Sequence, residues 1–196
     1  MTNQYKDKPY NDYGQWIRQR FPFRVQKISV DAGFSCPNRG GTISHGGCIF
    51  CDNRTFNPSY CQPSKSIAQQ MEEGKAFFRR KYPDMKYLAY FQAYSNTYAP
   101  LDVLKRRYEE ALAVEDVVGL VIGTRPDCIS PELLDYLEEL NRRTFLIVEY
   151  GIESVNDDTL RHINRGHDFE CSRRAIEQTH DRGILTGGHI ILGLPG

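Results

Sequence analysis

Five short runs of β-branched and aromatic residues, separated by helical patterning, most constrain what this chain can fold into. They read "KISVDAGF", "KYLAYFQAY", "VVGLVIGT", "TFLIVEYG" and "GGHIILGLP". Runs two to five recur at roughly thirty residues, the length of a strand–helix unit. Each is nearly continuously apolar, the pattern of a strand covered on both faces. Between them, Ile67, Met71, Gly74 and Phe78 share one face of a predicted helix from Ser64 to about Lys81. Leu101, Leu104, Tyr108 and Leu112 follow Pro100 at the same spacing. A third helix takes Ser130 as N-cap and Pro131 as its first residue, and turns Leu133, Leu137 and Leu140 inward. A short helix from Asn156 and a longer one from Asp168, closed by Gly183, precede the fifth run.

Right-handed crossovers wind such units into an α/β barrel or an open doubly wound parallel sheet. Both architectures bind ligands at the C-terminal ends of their strands. Polar segments collect just there: residues 35–51 after run one, "QAYSNTYA" after run two, "GTRPD" after run three and "EYGIES" after run four. The fifth run leads into "GLPG" with no helix after it. Five strands cannot close a barrel, so an open edge is expected. The expected fold class is therefore α/β, a partial parallel (βα) barrel truncated after about the fifth strand. Residues 25–196 read as its core and residues 1–24 as an N-terminal extension.

The chain has 196 residues, 40% hydrophobic and 26% charged, ordinary for a domain with a core. No apolar run approaches the ~20 residues that span a bilayer. The start, "MTNQYKDKPYNDYGQWIRQRF", has no signal-peptide apolar stretch, so a cytoplasmic protein is expected. Cysteines there usually stay reduced, and a cluster of them points to metal or redox chemistry rather than disulfides. Net charge is zero, with 25 basic and 25 acidic residues, which makes no global case for nucleic acid. Residues 1–54 hold eight basic and four acidic side chains, a local excess of +4 that suits phosphates or a solvated face.

Three of the six cysteines lie in "SCPNRGGTISHGGCIFC", where Cys36, Cys48 and Cys51 form C-x11-C-x2-C. The close pair brings two sulfurs within reach of one centre, and glycines let the backbone wrap it. A tetrahedral zinc site wants four protein ligands, and His45 supplies a candidate fourth. A [4Fe–4S] cluster on three cysteines leaves one iron open. The loop alone does not choose between them. A structural zinc loop gives no reason for polar clusters after runs two, three and four, whereas a centre with an open position needs neighbours to hold its ligand. Cys61, Cys128 and Cys171 are isolated and read as structural. No G-x-S-x-G, P-loop or H-E-x-x-H is present.

With these motifs in order, about residues 20–196 resemble the radical S-adenosylmethionine (SAM) superfamily. The likeness is to its uncharacterised branch with a catalytic domain similar to that of the elongator catalytic subunit. There too the first cysteine gap is eleven residues, and an aromatic, here Phe50, precedes the last cysteine. "GTRPDCI" resembles "ETRPD" of that branch, "VEYGIESVNDDTLRHINRGHD" its G-V-Q-S … N-R-G-H segment, and "HIILGLPG" its D-x-I-x-G-x-P-G. The resemblance implies a barrel of the radical SAM type in which Cys36, Cys48 and Cys51 hold a [4Fe–4S] cluster and SAM fills the open iron site. It implies SAM contacts from Phe50 and Ile191 near the adenine, from Gln92 and Thr97 after run two, and from Arg125. Glu153 falls where the ribose or amino group is met, and Arg165 where the carboxylate is met. Gly123 and His189 stand where relatives carry an acid.

The reaction implied is reductive cleavage of SAM to methionine and a 5′-deoxyadenosyl radical, which abstracts hydrogen from a substrate. An electron donor such as flavodoxin or ferredoxin is implied as partner, and the elongator likeness suggests tRNA as substrate. The reading of a different class is a zinc-stabilised binding module built on Cys36, His45, Cys48 and Cys51.

Overall fold

The computed structural model describes residues 10, 12–52, 57–79 and 84–195. In chain order the elements are α1 (Tyr13–Arg18), β1 (Val25–Val30), α2 (Ile67–Arg79), β2 (Lys86–Phe91), α3 (Leu101–Leu112) and β3 (Val117–Thr124). They continue with α4 (Pro131–Asn141), β4 (Phe145–Glu153), α5 (Asp157–His162), α6 (Phe169–His180) and β5 (Leu185–Ile190). The five strands are all parallel, and their order in the sheet is their order in the chain. A doubly wound sheet reverses direction at a switch point; this one does not, and it is an open segment of a barrel.

The two faces of the sheet are covered differently. Ile28, Val30, Tyr87, Ala89, Phe91, Leu120, Ile122, Leu146, Val148 and Tyr150 pack under the helices that follow the strands. Leu88, Val121 and Ile147 alternate with them and form a smaller cluster on the opposite face, capped by Ile17 of α1 with Trp16 packed beside it. That face continues along β4 through Glu149, Gly151 and Glu153 by the two-residue period of a strand. The inner face is thus apolar at the N-terminal ends of the strands and polar at the C-terminal ends.

The helix starts follow local chemistry. Ser130 accepts from Leu133 N and Pro131 opens α4, Asn156 accepts at the start of α5, and Asp168 accepts from Cys171 N at α6. Gly183, at φ +71°, ends the turn after α6. The expected start of α2 at Ser64 shifts to Ile67, because it is Ser66 whose hydroxyl accepts from Gln69 N at 3.0 Å. Its expected end near Lys81 lies outside the described residues.

Run one stops at Val30 rather than Phe34. There the fully buried Gln70 of α2 takes over both backbone groups of Asp31, accepting from its N–H at 2.8 Å and donating to its carbonyl at 2.9 Å. Run five begins earlier than expected, at Leu185, and Ile191 already lies beyond it. In the segment read as an extension, α1 is capped by Asp12, which accepts from Gln15 N at 2.9 Å.

Replacing Ile17 with alanine should cost about 2 kcal/mol, the low end for a buried isoleucine because it belongs to the smaller of the two apolar clusters. Phe77→Ala, at a side chain 64% exposed, should change stability by less than about 0.5 kcal/mol. Urea unfolding of the two variants side by side checks the difference.

Candidate functional site

The loop of residues 35–51 leaves the C-terminal end of β1 with little apolar surface of its own, so hydrogen bonds must fix it. Some are internal. Arg39 N and Gly40 N donate to Cys36 O, and Gly47 N donates to Asn38 O. Gly40 and His45 pair in a single antiparallel bridge. The long gap between the first two cysteines is therefore a small turned-back excursion that returns Cys48 towards Cys36.

Others tie the loop to the segment after β2, where Ser95 N donates to Ser35 O at 3.2 Å and the hydroxyls of Thr42 and Tyr98 meet at 2.7 Å, and more come from the segment after β4. Asn38 Nδ2 donates to Asn164 O at 2.6 Å, and Asn164 Nδ2 donates back to Gly47 O at 2.9 Å. Ile49 N donates to Ile163 O at 3.1 Å, and Ser44 Oγ to Asn164 Oδ1 at 3.1 Å. Asn164 sits at φ +55°, a conformation asparagine tolerates better than most residues. Gly166, at φ +82°, could not be another residue: an added Cβ would lie 2.8 Å from Asn38 Oδ1.

Cys36, Cys48 and Cys51 line one wall of a cavity of about 430 Å³. All three thiols are free, and Cys36 and Cys48 are buried. Burial pushes the Cys51 thiol up, opposed by a hydrogen bond from Arg39. Asn38 Nδ2 and Arg165 Nη1 approach Cys48 Sγ at 3.4 and 3.7 Å. The lining beside the thiols is charged. Glu153 ends β4 at φ +67° and faces Arg165 Nη2 at 3.6 Å. Burial raises the Glu153 carboxyl above the usual range, with Arg165 opposing. Arg165 Nη2 also donates to Gly151 O. Arg125 makes a two-point pair with Asp127, at 2.8 and 2.6 Å, and donates to Arg165 O at 2.8 Å. Among the described residues, each of these buried guanidiniums keeps one nitrogen without a hydrogen-bond partner, Nη1 of Arg125 and Nε of Arg165.

Of the residues singled out from sequence, Phe50, Gln92, Arg125, Glu153, Arg165 and Ile191 line this cavity with the three cysteines. Gln92 Nε2 donates to Ser29 Oγ at 2.8 Å, and Ile191 N to Glu153 O at 2.9 Å. Thr97 is not brought to the cavity. It is buried, its hydroxyl 2.5 Å from that of Thr124, and it lines a separate groove beside α3 and α4. His45 is exposed, its ring against Gly41, and is not among the cavity-lining residues. Sequence reasoning missed the Asn38–Asn164 clasp, Arg39, and the polar inner-face groups Tyr90 and Glu149. One signal was available for the last: a glutamate in the middle of an otherwise apolar strand.

The donor set fits an iron–sulfur cluster. It consists of three thiols on one wall, with N–H groups directed at a sulfur, the interactions that tune such clusters. Among the described residues, no three His, Cys, Asp or Glu side chains converge closely enough to hold a single metal ion. The guanidinium N–H groups left unpaired suit a carboxylate-bearing ligand beside the thiols. Among the described residues, no helix is long and apolar enough to cross a membrane.

The family model of the radical SAM superfamily matches residues 39–196. The protein YtqA of Bacillus subtilis is 42% identical over 189 residues, covering 96% of this chain and 59% of the relative. The chain thus spans about three-fifths of that relative's length. A tRNA uridine(34) acetyltransferase of Methanocaldococcus infernus is 30% identical over 105 residues, covering 49% of this chain and 19% of the relative. The solved structure of the archaeal M. infernus Elp3 superposes with a TM-score of 0.56 at 17% identity, over 88% of this chain and 39% of that one, which shows a shared fold. With five parallel strands in chain order and a matched family model over most of its length, the chain belongs to the radical SAM superfamily.

Proposed function

We propose that this chain is the catalytic core of a radical SAM enzyme, with a [4Fe–4S] cluster held by Cys36, Cys48 and Cys51 and SAM bound beside it. The observation that carries the reading is the meeting of three free thiols with Arg125, Glu153 and Arg165 in one cavity at the C-terminal ends of parallel strands. Such a cluster, when bound, supplies the electron that cleaves SAM to methionine and a 5′-deoxyadenosyl radical, which takes hydrogen from the substrate.

The chain's own residues bind and orient. Arg165, with its partnerless Nε, suits the SAM carboxylate, and Glu153 accepts from ribose hydroxyls or the ammonium group. Phe50 and Ile191 present apolar surface for the adenine. Gln92 lines the same cavity. Asn38 and Asn164 keep the cysteine loop in position, which holds the reacting groups together and is worth more than any single contact. The cytoplasm is the compartment that suits reduced thiols, with flavodoxin or ferredoxin as electron donor. tRNA is the proposed substrate, on the strength of the relative named for acting on tRNA uridine 34.

The anaerobically reconstituted full-length protein should be brown, with broad absorption near ~400 nm from sulfur-to-iron charge transfer. Cys48→Ala should abolish SAM cleavage under reducing conditions; persistent cleavage would overturn the cluster assignment. Gly151→Ala tests the SAM side separately. Its new Cβ would lie 2.5 Å from Glu153 Oε1 and 2.9 Å from Arg165 Nη2. Displacing that pair should weaken SAM binding by about tenfold or more, the scale of an overpacked site, with iron content kept. Equilibrium dialysis with SAM and an iron assay on the same sample read the two quantities.

A further inference from the structure

The cavity has a second tier that the cofactor reading does not use. On β4, Glu149 lies four residues before Glu153 on the same inner face, with Gly151 and a register irregularity between them. Its carboxylate holds two basic groups at once. Lys27 Nζ of β1 reaches Oε1 at 2.5 Å, and His189 Nε2 of β5 reaches Oε2 at 3.1 Å. The Lys27 ammonium also lies over two rings, Tyr13 at 4.5 Å and Tyr90 at 4.8 Å. His189 is half exposed and lines the cavity, together with Glu149 and Tyr90. Its hydrogen bond to Glu149 uses Nε2, and among the described residues its second ring nitrogen, Nδ1, meets no hydrogen-bond partner.

Charge distinguishes this tier from the one above. In the upper tier the guanidiniums are matched, Arg125 by Asp127 and Arg165 by Glu153. In the lower tier one carboxylate faces a lysine and an imidazole. Burial pushes Glu149 up, but hydrogen bonds from His189 and Lys27 outweigh it and bring the carboxyl down to about 2. The same hydrogen bond raises His189, which burial opposes. The groups facing the imidazole are Glu149 and Glu153 from β4, Lys27 from β1, and beyond them Tyr90 of β2 and Tyr13 of α1. With His189 protonated the tier carries an excess of one positive charge, half out of water, which an anion entering the lumen would neutralise.

We infer that Lys27, Glu149 and His189 form the substrate-recognition tier of this barrel, where His189 donates through Nδ1–H to an anionic group of the substrate, a carboxylate or a phosphate. Glu149 acts as a positioning residue: it turns the imidazole so that Nε2 is occupied and Nδ1 is presented. Lys27 keeps Glu149 ionised. The inference rests on the radical SAM reading, which puts the cofactors in the upper tier.

Acetate and sulfate serve as probes of carboxylate and phosphate, because neither changes charge from neutral to mildly alkaline pH. Calorimetric titration of the reconstituted full-length protein should show one of them binding, with affinity falling as pH rises through the raised pKa of His189. Preference for sulfate assigns the tier to phosphate, and preference for acetate to carboxylate. His189→Gln should weaken binding by about tenfold or more, the worth of a charge-assisted hydrogen bond, and flatten the pH dependence. Glu149→Gln should move the pH midpoint down, since the imidazole loses the carboxylate that stabilises its cation. Iron content and SAM binding are measured on the same samples. Equal anion binding in wild type and His189→Gln, or no binding of either anion by wild type, overturns the inference while leaving the cofactor reading intact. Loss of SAM binding in His189→Gln also overturns it, by assigning the tier to SAM. Absence of iron from wild type sinks the cofactor reading instead.

Discussion

The site depends on a clasp between two loops that neither could form alone. A loop with eleven residues between its first two cysteines has too little apolar surface to hold itself by packing. Asn38 and Asn164 lock it to the segment after β4 by donating in opposite directions, one amide to each side. A buried amide hydrogen bond contributes about 1 kcal/mol, but leaving a buried amide unsatisfied costs about 1–3 kcal/mol. The pair is therefore worth more as a restraint than as a net stabiliser. The same stretch of chain also carries Arg165, so the clasp sets the distance between the thiols and the carboxylate-binding cation in a single operation.

A parallel sheet in chain order makes that operation possible. Because every strand runs the same way, all the loops at its C-terminal edge meet at one end of the lumen. The opposite end of the inner face is filled by Leu88, Val121 and Ile147 beneath α1. Apolar packing below and charge above divide one continuous surface. Along β4 the division runs through consecutive inward positions, from Ile147 to Glu149, Gly151 and Glu153. Gly151 is small for a steric reason, since the Glu153–Arg165 pair occupies the space a side chain would need.

Legibility in the sequence followed the range of the interaction. β3 was readable as a unit, because "VVGLVIGT" is apolar throughout and ends at a polar loop. α4 was readable from Ser130 and Pro131, whose capping chemistry is local. α1 was not, because six residues are too few for a helical period and its stability comes from burying Ile17. β5 was displaced, because an apolar stretch that continues past Ile190 looks like strand whether or not it pairs. Cys36, Cys48 and Cys51 stood out by spacing. Thr97 had the right residue type after the right strand, yet its hydroxyl turns to Thr124 instead of the cavity. No local pattern separates those two outcomes. The clasp was beyond reach for a similar reason: its partners are 126 residues apart, and each asparagine alone reads as an ordinary turn residue.

Backbone strain follows the same geography. Asp116, just before β3, adopts positive φ away from the site; Tyr94, Glu153 and Asn164 do so beside it, without being glycine. Tyr94 comes after β2, Glu153 ends β4 and Asn164 comes after α5; the first two line the cavity and Asn164 clasps its wall. Such conformations cost of order 1 kcal/mol or more apiece and persist only where surrounding contacts over-determine them. For Glu153 the contacts are Arg165 and the bond its carbonyl accepts from Ile191; for Asn164 they are four hydrogen bonds to the cysteine loop through its carbonyl and side chain. At the site, the strained residues are the ones whose side chains must leave the direction the strand would impose. The fold fixes where each strand ends, and these few residues turn from there towards the site.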